Sequence, residues 1–546
     1  MERGFLGRGH TTYFWIGWCL ILWLGAFLRL SHPDWDQGIA AHPDERFILG
    51  VAQDTPICGN PCTVSPDFPY GHFPLTLLSL LVNSAPQADP LYAGRLISGL
   101  GGILLVALAG RCGSELSRAP DGGLIAGGLA AFCPLLIQQA HFYTVDPWAA
   151  IFGTLAVLSA ARNRWFWSGF SVGLALACKA SSAWLGVFVG IAIAISAPRQ
   201  EWIRRGFIFV AGSLVGIFIG SPWLFLTPLQ CWRGPLVQAQ LAAGRFIFPY
   251  TRQYVQTIPW VYPLIQMLLW AMGPPTTIIG AVVLVKSVAA WRGKRKFRML
   301  AFAPVLFYIA TAGLYVKYPR YLLPIYPLWI GAAAKGLLDL CRTLPKRIGR
   351  RLCSVGLLVV VSFSCIMGIA QASVYRSEHP WIQASRWIYE NVPDGSSLAV
   401  ESWDHPLPVP LSAGDPSRYV QMTVPMLDHS PPRQDDAAAR ERAWTTSVVV
   451  LASRRNYGVV TRQPDRFKGM YQWYEALFGA RKVLVFSRCP RVGPVAFSDN
   501  PFRALGMEAP DLRDICDARF IIRLPRLDES LRVYDAPTTV LLVRTE

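Results

Sequence analysis

The chain has 546 residues, 52% of them hydrophobic and only 16% charged, with 20 Trp and a mean hydropathy of +0.32. Soluble domains carry about 25% charged residues, so this composition excludes an ordinary soluble enzyme, a disordered chain and a collagen-like chain. The net charge of +18 raises nucleic acid as a partner, but residues 1–375 hold 30 Lys+Arg against 13 Asp+Glu, and residues 376–546 hold 22 against 21. The excess sits in the apolar part, which leaves no basic soluble module to bind nucleic acid.

A bilayer crossing needs about 20 mostly apolar residues. Eleven segments read as crossings: 11–30, 95–111, 123–141, 147–161, 164–180, 182–197, 204–221, 272–289, 299–316, 321–341 and 353–374. The apolar stretch 72–84 is shorter and reads as an interfacial or re-entrant helix. Loop charge gives the orientation. Arg3 and Arg8, Arg111 and Arg118, Arg162 and Arg164, Arg199, Arg204 and Arg205, and the clusters in 291–298 and 341–351 all fall on one face if there are eleven crossings. That face is the cytoplasm, which places the N-terminus inside and the C-terminal segment outside. The first segment reads as a retained crossing, because Arg29 and the polar loop after it offer no small-x-small cleavage pattern.

The outer loops 31–94 and 222–258 are long. After about Tyr375 the chain changes character. Residues 380–392 and 467–479 have helical periodicity, and 397–402, 447–453, 482–487, 519–524 and 538–546 read as strands. The expected architecture is therefore a polytopic α-helical membrane domain over 1–375 and an extracytoplasmic α/β domain over 376–546. The outer domain carries no phosphate-loop or metal-spacing pattern; a cap or docking role and acceptor recognition are both open.

Of twelve Cys, seven lie in or near the apolar segments and read as small apolar fillers. Outside them lie Cys58, Cys62, Cys231, Cys489 and Cys516. An oxidising compartment permits the pairs Cys58–Cys62 and Cys489–Cys516, leaving Cys231 unpaired. The C-x3-C spacing is not followed by a second ligand pair suited to zinc.

Three features can carry chemistry. His42-Pro43-Asp44-Glu45-Arg46 stands just beyond the first crossing. Adjacent carboxylates near hydrocarbon are costly and tend to be functional; an Asp there is either a general base for an acceptor hydroxyl or amine or part of a solvated Pro-Asp turn. Next, 138–147 (QQAHFYTVDP) closes the third crossing on the same face. Asp146 is either a helix cap before Pro147 or a second carboxylate at the level of Asp44. The third feature is cationic: Lys179, Lys317, Arg320, Arg46 and Arg95 lie on the face that the positive-inside rule depletes. Any one can be a snorkelling anchor; together they suit an anionic lipid headgroup.

These residues resemble a family. Asp44-Glu45 in the first outer loop, Thr144-Val145-Asp146, GLALACK (173–179) and KYPRYLLP (317–324) look like the membrane glycosyltransferases of GT-C fold. The nearest group contains the protein O-mannosyltransferases and the bacterial aminoarabinose transferase of lipid A. The resemblance implies a transferase that takes a sugar from a polyprenyl-phosphate carrier and passes it, with inversion, to an acceptor at the outer face of the cell (inner) membrane. It implies Asp44 as general base with Glu45 supporting it, and Asp146 orienting the acceptor or a catalytic residue. Arg46, Lys179, Lys317 and Arg320 would meet the lipid phosphate, with His42, Tyr321 and His141 nearby. The acceptor class (glycan, lipid or protein) stays open, and so does metal dependence: Asp44, Asp146 and His141 are possible divalent-metal ligands, and no other cofactor is implied. No β-trefoil insert like that of the eukaryotic O-mannosyltransferases is present, which weakens a protein Ser/Thr acceptor. Two other functions compete. A lipid-linked sugar transporter or flippase would place ionisable groups near the bilayer midplane, often within inverted repeats; the segment centres here are nearly free of charge, and no repeat is found. A non-catalytic assembly protein would rest on the outer domain alone.

Overall fold

A computed structural model describes residues 8–56, 59–85, 87–196, 198–289, 295–343, 348–429, 433–499 and 511–545. Arg3, Cys58 and parts of the basic connections 291–298 and 341–351 lie outside the described residues. The chain divides into two compact units: Met1–Pro33 with Pro43–Ala243 and Ile258–Ile369, and Asp34–His42 with Gly244–Thr257 and Ala370–Glu546. Two pieces of the long loops thus belong with the C-terminal unit, a division that a boundary placed at 375 does not anticipate.

The first unit is helical. Each of the eleven apolar segments contains a helix, but their lengths differ widely. Among the described residues, Thr12–Leu30, Pro90–Ser117, Arg199–Gly220, Pro319–Thr343 and Arg351–Asn391 include the five stretches long and apolar enough to cross a membrane. A sixth counts if Pro120–Ala131 and Pro134–Ala140, bent by 62°, form one span. Seven further apolar helices are shorter, Phe73–Ser84 among them. The bend has an identifiable cause. Pro134 cannot donate to the preceding turn; the Ala130 carbonyl takes the Cys133 N–H at 3.3 Å instead, and the carbonyls of Ala130 and Ala131 both accept from the buried Arg29 guanidinium at 2.9 Å each. Arg29 also reaches Gly25 O at 3.1 Å. A cation at a helix C-terminus complements the dipole as well as the orphan carbonyls.

Small residues let one helix pair approach closely. Gly169 and Gly173 on Trp165–Leu176 face Gly212 and Gly216 on Arg199–Gly220. A Cβ at Gly169 would stand 1.9 Å from Phe209 O, and one at Gly212 would stand 2.2 Å from Phe166 O. Backbones approach this closely only through small-xxx-small faces.

The second unit holds the strands. A five-stranded sheet has the order β2-β1-β3-β8-β4, with β1 Ser397–Glu401, β2 Val420–Val424, β3 Val448–Leu451, β4 Lys482–Phe486 and β8 Thr539–Val543. β2, β1 and β3 run parallel, and β8 pairs antiparallel with β3 and β4. A second sheet has the order β5-β6-β7, with β5 Arg491–Val492, β6 Val495–Ser498 and β7 Phe520–Arg523. Helix Lys468–Ala480 sends Met470, Trp473, Tyr474, Leu477 and Phe478 into the core beside Ala399, Val449 and Leu542. Parallel strands buried on both faces read as continuous apolar runs, which is why SVVVLAS was legible and the mostly exposed VQMTV of β2 was not.

One carboxyl group lies inside this core. Glu401, at the end of β1, takes hydrogen bonds from Tyr474 Oη and, at 3.2 Å, from Asn456 Nδ2. Burial outweighs these donors and raises its pKa to about 8. Because the folded pKa exceeds the unfolded value, the folded state holds a proton that the unfolded state has released, and stability falls as pH rises from about 4.5 to about 8. Glu401→Gln is therefore expected to raise the thermal midpoint at pH 8 and to have little effect at pH 5. A midpoint difference independent of pH would show that Glu401 is not the titrating group.

Candidate functional site

Asp44 and Glu45 both occupy the first turn of helix Pro43–Asp54. Acidic side chains there are favoured by the helix dipole, so HPDER opens a helix and is not a solvated turn. The two carboxylates part company. Glu45 turns inward, where Arg95 grips it with two bonds, Nε to Oε1 at 3.0 Å and Nη2 to Oε2 at 2.8 Å. The Tyr143 N–H adds a third at 2.7 Å, and Arg95 Nη1 reaches Pro33 O at 3.0 Å. Both side chains are at most 1% exposed. Glu45 was expected to support Asp44; in the structure it braces helix Pro90–Ser117 against the 141–146 turn. Removing one member of such a pair strands a buried charge. Glu45→Ala is expected to lower stability by about 3–5 kcal/mol, and the Glu45→Met/Arg95→Met double variant by less than either single change. Thermal unfolding in detergent measures this; single variants as stable as the parent would contradict the brace.

Asp44 instead meets Arg320, Nη2 to Oδ2 at 3.2 Å. Arg320 Nε also lies 3.8 Å from Asp146 Oδ2. Lys179 Nζ donates to Asp146 Oδ1 at 2.6 Å. Asp44, Arg320, Asp146 and Lys179 thus form one chain of alternating charge, drawn from four places in the sequence. Asp146 is the first residue of helix Asp146–Ala161, one place beyond the N-cap Val145, so it is not the capping residue; its carboxylate stands in the first turn and makes the ion pairs. Aromatic rings frame the cations. Lys179 Nζ lies 4.2 Å from the Tyr321 ring centroid, and the Arg320 guanidinium 5.0 Å from that of Tyr318. Such contacts are worth more where water is displaced.

Sequence reasoning missed Tyr70. Its hydroxyl hydrogen-bonds the Asp44 carboxylate, and burial together with that negative neighbour raises its pKa well above the usual phenol value. The backbone explains how it arrives there. Gly71 N–H donates to Cys178 O and Phe73 N–H to Ala177 O, at 2.9 Å each. A Cβ at Gly71 would stand 2.1 Å from Ala177 O. Only glycine allows the 70–73 segment to lie directly on the residues that carry Lys179. The signal available in sequence was the aromatic run FPYGHFP (68–74).

The remaining candidates are placed elsewhere. Lys317 is 4% exposed and donates to Tyr315 O at 2.9 Å; burial lowers its pKa. His141 has its ring nitrogens 2.9 Å from Ile137 O and 3.1 Å from Ser31 O, tying the end of helix Pro134–Ala140 to the chain after the first helix. Arg46 is exposed. His42 belongs to the second unit, where its ring centroid is 4.1 Å from that of Tyr534.

The cysteines differ from expectation as well. Cys489 pairs with Cys516, but Cys62 pairs with Cys231, and Cys341 with Cys353. Cys231 was expected to stay unpaired. The helical turns Pro61–Val64 and Pro228–Cys231 bring the two sulfurs together across 169 residues of sequence. His72 Nε2 lies 3.4 Å from Cys62 Sγ. Among the described residues, Cys62, His72 and Cys231 are the one group of three with metal-ligand proximity, and the disulfide uses two of its three ligands. The metal ligands expected from sequence are differently engaged: Asp44 and Asp146 face Arg320 and Lys179, and His141 faces carbonyl oxygens.

Residues 69–225 match the family model for dolichyl-phosphate-mannose-protein mannosyltransferase. The match covers under a third of the chain but includes Tyr70, Asp146, Lys179 and the TVD and GLALACK elements, which bears out the resemblance read from them. No curated protein matches the chain in sequence. Solved structures that align with it include ArnT from Cupriavidus metallidurans in the apo state, with a TM-score of 0.49, 14% identity and coverage of 88% of this chain and 93% of that one. The Archaeoglobus fulgidus oligosaccharyltransferase in complex with Zn and sulfate aligns with a TM-score of 0.48 and 14% identity, covering 82% and 70%. ArnT bound to undecaprenyl phosphate aligns with a TM-score of 0.45 and 14% identity, covering 98% of each chain.

Proposed function

We propose that this chain is an integral membrane glycosyltransferase that moves a sugar from a polyprenyl-phosphate carrier to an acceptor at the outer face of the membrane. The enzyme class rests on the family match over 69–225. The observation that carries the mechanism is Arg320 lying between Asp44 and Asp146 while Lys179 holds Asp146.

Asp44 is the general base. It takes the proton of the acceptor hydroxyl or amine as that group attacks the anomeric carbon. The bond from that carbon to the phosphate oxygen breaks, and the lipid phosphate leaves with the electron pair. Negative charge grows on this phosphate, and Arg320 and Lys179 are the cations that meet it; preorganised charge acts most strongly where charge develops. In the resting site these cations are occupied by Asp44 and Asp146. A phosphate that draws Arg320 away loosens its pairing with Asp44, so donor binding itself unmasks the base. Tyr70 holds the Asp44 carboxylate in place through its hydroxyl. Lys317 and Arg46 are assigned to the carrier phosphate further out, and attack opposite the leaving group gives inversion.

Eleven crossings, with the N-terminus in the cytoplasm and residues 376–546 outside, remain our reading of the topology; it rests on the loop charges. The test of function is incubation of purified protein with polyprenyl-phosphate sugars and with glycan, lipid and protein acceptors in turn, read by mass spectrometry. Expected products are a glycosylated acceptor and free polyprenyl phosphate, with the anomeric configuration reversed. Movement of intact glycosyl-phosphate lipid across a bilayer without covalent product would favour the flippase reading instead.

A further inference from the structure

The Cys62–Cys231 disulfide leaves a third side chain unexplained. His72 is 1% exposed. It is the N-cap of helix Phe73–Ser84, yet its side chain makes no cap hydrogen bond. Its Nδ1 lies 2.6 Å from Ser221 Oγ. Among the described residues, the hydrogen-bond partner of Nε2 is Cys62 Sγ, at 3.4 Å. A disulfide needs no imidazole beside it, and sulfur is a weak acceptor. A histidine that binds a metal through one ring nitrogen has the other nitrogen fixed by a polar neighbour. Ser221 fills that role here.

Two links hold the turns Pro61–Val64 and Pro228–Cys231 together apart from the sulfur bond. Asn60 Oδ1 accepts from the Cys62 N–H at 3.0 Å, and Asn60 Nδ2 donates to Thr227 Oγ1 at 3.0 Å. Gly234 lies so close to the Phe68 carbonyl that a Cβ there would stand 2.2 Å from the oxygen. The sulfurs and the imidazole therefore stay near one another when the disulfide is open. All three side chains are buried, and their ligand atoms lie within 4.8 Å of one another. Tetrahedral zinc, with bonds of about 2.3 Å to sulfur and about 2.0 Å to nitrogen, sets two thiolates about 3.8 Å apart and a thiolate about 3.6 Å from an imidazole nitrogen. The distance from His72 Nε2 to Cys62 Sγ, 3.4 Å, is already close to this. With the Cα atoms 5.6 Å apart, rotation of the cysteine side chains is enough to part the sulfurs. Thr227 Oγ1 and Asn60 Oδ1, 3.4 and 3.7 Å from Cys231 Sγ, are oxygen donors for the fourth position.

We propose that Cys62, Cys231 and His72 form a zinc site that is the alternative to the disulfide. Cysteines are made as thiols. Capture of Zn²⁺ forms two Zn–S bonds and releases two thiol protons. Oxidation forms one S–S bond and passes two electrons and two protons to a thiol oxidant. The ion is taken up while the two loops close, so burial of the finished site is no barrier to it. Thiolate and imidazole ligands suit zinc, whereas magnesium and calcium take oxygen. Either closure ties residues 61–74, Tyr70 among them, to the 221–234 loop.

The experiment uses the full chain, expressed with zinc in the medium and purified in detergent, once under a phosphine reductant and once without it. Metal is counted by plasma mass spectrometry after dialysis, and cobalt substitution reports the ligands. The reduced parent should hold about one zinc per chain more than reduced Cys62→Ser or Cys231→Ser. Its cobalt form should show the near-ultraviolet band of thiolate-to-metal charge transfer. The oxidised parent should hold no more zinc than Cys62→Ser. Ser221→Ala should weaken zinc affinity by about ten- to a hundredfold, and His72→Ala by at least as much. Thermal midpoints of the oxidised proteins check folding, because both of these variants keep the disulfide. Equal zinc in the reduced parent, Cys62→Ser and His72→Ala would be adventitious metal and overturns the proposal. So does zinc that follows the two cysteines but is held equally well in His72→Ala and Ser221→Ala.

Discussion

Asp44→Asn should lower sugar transfer by about a hundred- to ten-thousand-fold, the range that a positioned general base contributes. The substitution is nearly isosteric. The amide oxygen still accepts from Tyr70 or Arg320, and Arg320 keeps Asp146 at 3.8 Å, so the fold should survive. The cost therefore falls on chemistry, in kcat more than in KM, since proton transfer belongs to the transition state. The assay is donor turnover, with size-exclusion and circular dichroism as folding controls. Full turnover by a folded Asp44→Asn protein would remove Asp44 from the mechanism. Glu45→Gln offers a contrast: its partners are Arg95 and a backbone N–H, so its main effect should be on stability.

The second large effect is expected at Arg320. Its guanidinium reaches toward both Asp44 and Asp146, an arrangement that only a fork-shaped cation satisfies. Arg320→Ala should reduce kcat by about a hundred- to a thousand-fold, comparable to losing one preorganised donor at a site of developing charge. Arg320→Lys keeps the charge but not the fork and should fall between the two. The comparison is decisive for the role assigned to Arg320. If it serves only to hold Asp44, then Arg320→Ala made together with Asp44→Asn should lose no more than Asp44→Asn alone. If it meets the leaving phosphate, the double variant should be worse, and inhibition by free polyprenyl phosphate should weaken in Arg320→Ala alone. An unchanged kcat in Arg320→Ala would contradict both roles.

The parts of this architecture legible in sequence are those governed by local pattern. Each apolar run contains a helix, because hydrophobic periodicity and length are local properties. Strands β1, β3, β4, β7 and β8 were legible for the same reason. β2, exposed over most of its length, and the two-residue β5 carry no such pattern, and β6, though mostly buried, was not read. Helix length was less readable: Pro90–Ser117 runs beyond its apolar centre at both ends, whereas the 123–141 segment is broken at Pro134.

The site divides along the same line. Asp44, Asp146, Lys179 and Arg320 could be nominated from their charge and Tyr321 from the resemblance carried by KYPRYLLP, and the structure brings all five together. What sequence could not supply was direction. Adjacent in the chain, Asp44 and Glu45 point to different partners because successive side chains on a helix diverge by about 100°. Tyr70 went unnoticed because its approach depends on a backbone contact made over 100 residues away, between Gly71 and Cys178. The Cys62–Cys231 pairing failed for the same reason: nearness in sequence favoured Cys58, and the fold favoured a residue 169 positions on.

The central claim is that a base and a phosphate-binding cation act on one lipid-linked sugar. One measurement addresses it directly: proteoliposomes of the parent chain and of Asp44→Asn given a polyprenyl-phosphate sugar labelled in both sugar and phosphate, with acceptor present. The account predicts that the parent separates the two labels, sugar to acceptor and phosphate to free lipid, and that Asp44→Asn leaves them joined while still binding the donor. Labels that stay together in the parent, or that separate equally in both proteins, would contradict it.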